Sequence, residues 1–109
     1  MNKNIKMYRG NSYNLKITVK NYDHELDKIY FTVRDDNDNV KIAKNLTDGI
    51  TKITDENAYR LFLFPNDTEN LEIEDYKYDI EIQAGNFVAT KVTGKFVLKE
   101  EQTRKEQEI

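Results

Sequence analysis

The stretch "YKYDIEI", residues 76–82, decides the fold. Tyr76, Tyr78, Ile80 and Ile82 alternate with Lys77, Asp79 and Glu81. A period of two places the four large apolar side chains on one face of a strand and the three charges on the other. Working outward from it, the same period recurs. In "SYNLKITVK", Tyr13, Leu15, Ile17 and Val19 share a face, opposite Asn14, Lys16, Thr18 and Lys20. "KIYFTVR" turns Ile29, Phe31 and Val33 inward, and "YRLFLF" sets Tyr59, Leu61 and Leu63 against Phe62 and Phe64, which predicts burial of both faces there. "FVATKVTGKFVLK" is one long strand, or two with a bulge at Gly94. Shorter candidates are Ile5–Tyr8 and Val40–Lys44.

Turn residues separate these runs. "RGNS" (9–12), "NYDHELD" (21–27), "DDNDN" (35–39) and "TDG" (47–49) divide the earlier strands, the last preceding a less regular region, and "QAGN" (83–86) has the character of a tight hairpin. Short strands with turn signals every 8–12 residues and no helical period between them indicate an antiparallel sandwich. The fold class expected is all-β, an immunoglobulin-like sandwich of about seven to eight strands over residues 1–99. The remainder, 100–109, is charged and rich in helix formers, which predicts a helical or frayed tail.

Composition bounds the rest. A chain of 109 residues supports one core. Its 34% charged residues point to a heavily solvated exterior, while seven Tyr and five Phe supply bulk for an interior. The 17 basic and 20 acidic residues nearly balance, which argues against a nucleic-acid partner. There is no cysteine, so disulfides and thiolate metal sites are excluded, and the single histidine, His24, rules out a His-rich site. The opening "MNKNIKMYRGN" has no apolar h-region and no later run reaches the length of a membrane span, so no membrane partner and assembly in a cytoplasm are expected.

Candidate chemistries weigh poorly against plainer readings. Asp35, Asn37 and Asn39 share the spacing of the first EF-hand ligands, but Val40 stands where the loop requires Gly and Leu46 where it requires a bidentate Glu. A hairpin loop is the better reading. His24, between Asp23 and Glu25, has neither a second His nor a Cys to relay or ligate with. Glu74–Asp75 would need a cleft and a raised pKa for glycoside hydrolysis. Tyr8, Tyr22 and Tyr30 fall off the inward pattern and are the residues on which a carbohydrate-binding module would rest. No P-loop, nucleophile elbow or H-E-x-x-H occurs. The expectation is no catalytic residue, no cofactor-binding residue, no metal ligand and no cofactor: not an enzyme.

"FPNDTENLEIED", residues 64–75, carries the only proline and one of two Asn-x-Ser/Thr sites, Asn66-Asp67-Thr68; the other is Asn45-Leu46-Thr47. Pro65 ends a strand because it cannot donate to a ladder. Asp67 or Thr68 then accepts N–H groups two or three residues further on, and Leu71 and Ile73 tuck under the sandwich. A buried tyrosine of Tyr76-Lys77-Tyr78 bonds back to this loop, similar to the tyrosine corner of immunoglobulin domains, with Tyr78 in place of the usual cysteine.

Together, "YRGNSYNLKITV", "IYFTVRD", "YRLFLFPNDTENL", "YKYDIEI" and "GKFVLK" resemble small β-sandwich domains of tail and baseplate proteins from phages of Gram-positive bacteria, in particular the N-terminal domain of upper baseplate proteins of lactococcal-type siphophages. The resemblance runs from about Met7 to Lys99 and rests on the Arg9-Gly10 turn, the P-x-D-T loop at Pro65–Thr68 and the Tyr-x-Tyr-Asp-Ile strand at Tyr76–Ile80. It implies a non-enzymatic virion structural role, docking on other tail or baseplate proteins or on further copies of itself. In that family a helical segment follows the domain toward receptor-binding proteins; Lys99–Ile109 is similar in position and much shorter. The alternative is a cell-surface or carbohydrate-binding sandwich module.

Overall fold

Among the described residues eight strands form in chain order, all but β5 as the alternation predicts: β1 (Ile5–Tyr8), β2 (Tyr13–Thr18), β3 (Lys28–Arg34), β4 (Val40–Leu46), β5 (Gly49–Lys52), β6 (Ala58–Leu63), β7 (Asp75–Ala84) and β8 (Phe87–Lys99), with one short helix, α1 (Pro65–Thr68). The computed structural model describes residues 3–19 and 25–100. His24, Tyr22 and the tail beyond Glu100 lie outside them.

Hydrogen bonding links the strands in the order β1-β8-β7-β3-β4-β5-β6-β2. The join between β4 and β5 is only Asn45↔Gly49 and Leu46↔Ile50, a corner at which the chain passes from one layer to the other. Five strands therefore make one sheet and three the second. Thr47 (φ 76°) and Gly49 (φ 97°) turn that corner, and the Lys44 side chain lies where a Cβ on residue 49 would sit. β1 runs parallel to β8, the two-residue join of β4 and β5 is also parallel, and the remaining pairs are antiparallel. A sheet of this order facing three strands in the order of β5, β6 and β2 is the immunoglobulin-like arrangement.

The inward faces form one core. Ile29, Phe31 and Val33 of β3, Tyr59, Leu61 and Leu63 of β6, and Tyr76, Tyr78, Ile80 and Ile82 of β7 are all buried. At its centre Phe31 packs on Tyr78 and Phe96 at centroid distances of 5.5 and 6.4 Å, and Phe96 also meets Tyr76 edge-on at 6.5 Å. Where immunoglobulin domains place an aromatic on a disulfide, this chain packs rings on rings.

Four expectations change. β5 is a strand, although its stretch lacks clean alternation; Ile50 is fully buried against Leu61. β8 is one strand, and its bulge falls where the register steps from Ile80↔Val92 to Glu81↔Thr90, three positions before Gly94. Phe62 and Phe64 do not enter the core: Phe64 is 51% exposed and the two rings stack on each other outside, centroids 6.5 Å apart. Leu71 does pack against the core, but Ile73 is 42% exposed.

Candidate docking surfaces

The turn that follows β6 is built from Pro65 upward. With Pro65 at the first helical position, Asp67 Oδ2 accepts the Phe64 N–H at 2.7 Å and its Oδ1 meets Lys44 Nζ at 2.9 Å. That ion pair is mostly buried, and Lys44 also lies 5.6 Å from the Phe64 ring centroid. Thr68 is wholly buried, and its hydroxyl accepts the Gly10 N–H at 2.8 Å. The direction expected for these bonds is thus reversed. Asp67 and Thr68 hold residues behind them in sequence, because the donors left open are those of the strand end and of the turn at Gly10 (φ 80°).

Two further bonds close this end of the sandwich. Arg9 Nη1 donates to the Leu71 carbonyl at 3.2 Å, and the Tyr76 hydroxyl donates to the Glu72 carbonyl at 2.7 Å. The second is a tyrosine corner, as the spacing predicts. Burial pushes the Tyr76 hydroxyl up to about 12, and the nearby Glu74 and Glu72 carboxylates add to that. Arg9 and Gly10 thus reach across 62 and 58 positions of sequence to the loop that carries Pro65–Thr68 and leads into Tyr76.

On β1 the contacts are of another kind. Lys3 N–H donates to the Thr93 carbonyl at 2.9 Å, Lys95 N–H to Asn4 Oδ1 at 3.0 Å, and the Tyr78 hydroxyl to the Lys3 carbonyl. Burial raises the Tyr78 hydroxyl pKa, with Tyr13 a smaller contributor. Gly94 permits this approach, since a Cβ there would collide with the Lys3 backbone. A glycine in an otherwise alternating strand was the available signal; its partner, 91 positions away, had none.

Elsewhere, polar groups satisfy one another. Asp35 accepts N–H bonds from Asn37 and Asn39 at 2.9 Å each and from the Asn39 side chain at 3.1 Å. The Asn39 side chain, followed by its backbone, holds the Asp35 carboxyl below its ordinary value. Asp35, Asn37 and Asn39 therefore make a hairpin turn whose leading carboxylate is occupied by the loop. In the shallow cleft beside Gly94, Arg34 pairs with Asp79 (3.3 Å) and Lys77 with Asp38 (2.6 Å). Tyr8 pairs with Lys99 at one end of its sheet, while Tyr30 lies opposite Glu81 toward the other, so these two do not form one platform. Glu74 and Asp75 sit where the loop enters β7, with the Glu74 carbonyl bonded to the Leu98 N–H. Asn45 is exposed on β4, whereas the second Asn-x-Thr site has its threonine buried. Among the described residues no three His, Cys, Asp or Glu side chains gather as metal ligands, and no helix is long and apolar enough to cross a membrane.

What remains are strand edges and exposed apolar groups. Phe87 and Val88 flank the β7–β8 hairpin, whose Gly85 (φ 60°) takes the first loop position, and Phe64 caps the turn after β6. β2 pairs with β6 on one side, and no described strand pairs with it on the other.

No family model and no curated protein matches the chain. Among solved structures it is similar to a marsupial T cell receptor, at 11% identity and a TM-score of 0.55. The match covers 90% of this chain and 49% of the receptor chain, so this chain spans about half of that molecule. At that identity the likeness is one of fold: immunoglobulin-like.

Proposed function

We propose that the chain is a non-enzymatic structural protein of a phage or prophage virion, an assembly module of the tail or baseplate that acts by protein–protein docking. One observation carries this reading. The three motifs behind the family resemblance converge on one loop: Gly10 bonds to Thr68 directly, while Arg9 and Tyr76 bond to Leu71 and Glu72 just beyond it. Residues that serve a shared architecture, beside clefts whose charges pair with one another, suit a building block that offers edges and loops to its neighbours. Its partners are other tail or baseplate proteins, its place is the particle, and the reading requires no cofactor.

Co-expression with the products of the genes flanking its own tests this directly. A stoichiometric complex with a tail or baseplate protein is expected, and antibody against the chain should label the tails of purified particles. Particles free of the chain, together with selective glycan binding by the isolated protein on an array, would replace the reading with a carbohydrate-binding module.

A further inference from the structure

In the ABED sheet of immunoglobulin domains strand A lies beside B, but here the first strand pairs with β8 and leaves β2 outermost. We propose that the open edge of β2 is where a second copy of this chain adds, strand to strand and antiparallel, so that two three-stranded sheets become one of six. Three observations carry this.

The first is incomplete burial on one flank. Tyr13 and Leu15 point into the sandwich opposite Leu63 and Leu61, and Ile17 opposite Tyr59. The β6 partners are fully buried, whereas Tyr13 and Leu15 are only half-buried. The apolar side of β2 therefore continues past its own edge.

The second is sparse guarding. Proteins blunt open edges with short strands, bulges, proline or charged side chains, lysine above all. β1 has four residues, and β4 is interrupted by a register shift beside Arg34 and tied down at Asn45 and Leu46. β2 has six residues in unbroken register without Gly or Pro, and its one charge, Lys16, is paired with Glu56 at 2.7 Å.

The third is self-complementarity, which selects the occupant. Two β2 strands related by a two-fold axis at Leu15 set Leu15 on Leu15, Tyr13 on Ile17 and Asn14 on Lys16. All apolar side chains then share one face, and no like charges meet. Moving the axis to Lys16 would oppose two lysines, and moving it by half a step would mix the faces. Six residues edge to edge bury less than the roughly 1,600 Å² of a standard interface. The dimer is accordingly weak in solution and gains from neighbours in an assembly.

Sedimentation across a dilution series should show a reversible monomer–dimer equilibrium. Asn14→Lys sets lysine against Lys16 twice per dimer and Asn14→Glu sets an acid there twice. The dimer constant should weaken about fivefold in the first and tighten about fivefold in the second. Thermal melts of each monomer separate this from any loss of the Arg60–Asn14 bond. The chain has no cysteine, so Leu15→Cys places the only thiols on the axis, with Cα atoms about 4.5–5.5 Å apart. Oxidation should yield a disulfide-linked dimer from Leu15→Cys and not from Ala43→Cys on β4. A monomer at every concentration, a dimer indifferent to both Asn14 variants, or cross-linking confined to Ala43→Cys overturns the proposal. A monomer that still binds a tail protein through β2 likewise overturns it, while leaving the docking role itself intact.

Discussion

β1 and β2 are the outermost strands of the two sheets and follow one another in sequence, yet they are held in opposite ways. β1 is clamped. Its approach is fastened by Lys3, Asn4 and the Tyr78 hydroxyl against a gap that only Gly94 leaves open. β2 is longer, pairs on one side, and leaves Tyr13 and Leu15 half-covered. The difference shows that strand length does not decide how well an edge is closed. What decides it is whether side chains from the interior reach out to the backbone of the edge.

The strongest way to break this contrast is Gly94→Ala. The added methyl meets Lys3 backbone, which cannot rotate away, so β1 must lift and expose Ile5 and Met7. A loss of about 3 kcal/mol in urea unfolding is expected, in the range of large core truncations. A variant of wild-type stability would refute the clamp. Smaller effects should come from the two tyrosines. Tyr78→Phe removes the bond to the Lys3 carbonyl and Tyr76→Phe the bond to Glu72, each costing about 1 kcal/mol. Hydrogen exchange should tell them apart: the first speeds exchange along β1, the second in the loop before β7.

Alkaline pH tests the corner without mutation. The folded protein holds the Tyr76 proton up to about 12, against 10.0 for a free tyrosine, so between these values the folded state binds more protons than the unfolded one. Its contribution is complete below pH 10 and is lost as pH rises toward 12. Denaturation midpoints should decline across that window, more steeply in wild type than in Tyr76→Phe. The smallest effect belongs to the open edge. Glu56→Gln removes the partner of Lys16, which lowers the Glu56 pKa chiefly by its hydrogen bond, yet both side chains are wetted. The thermal midpoint followed by circular dichroism should not move, as is usual for surface pairs.

The inward faces of β2, β3, β6 and β7 were legible because alternation is a local property, and Tyr76 was legible because its acceptor lies four residues back. Gly94 announced a special position but not its meaning, since the cause is backbone from the other end of the chain. Phe64 misled for a related reason. Its alternation suited a buried face, but Pro65 and the Asp67–Lys44 pair turn the chain outward, where a cation covers the ring. β5 was hidden because its four residues hold a single large apolar side chain, Ile50, and one such residue shows no period, whereas the equally short β1 alternates Ile5 and Met7. Surfaces are harder still: which edge stays open depends on which sheet β1 joins, and no residue of β2 encodes that choice.

The parallel pairing of β1 with β8 also has a consequence in time. Asn4 and Lys95 bond across 91 positions of sequence, so β1 joins the described strand that is made farthest behind it. On the ribosome β1 has no ladder until β8 has emerged. The Gly10 turn and the three-stranded sheet can organise earlier, since β6 follows β5 closely and β2 needs only β6. Closure of the sandwich is thus its final step, slowed by the longest loop the chain contains. Until that step the nascent protein carries β1 without its ladder partner.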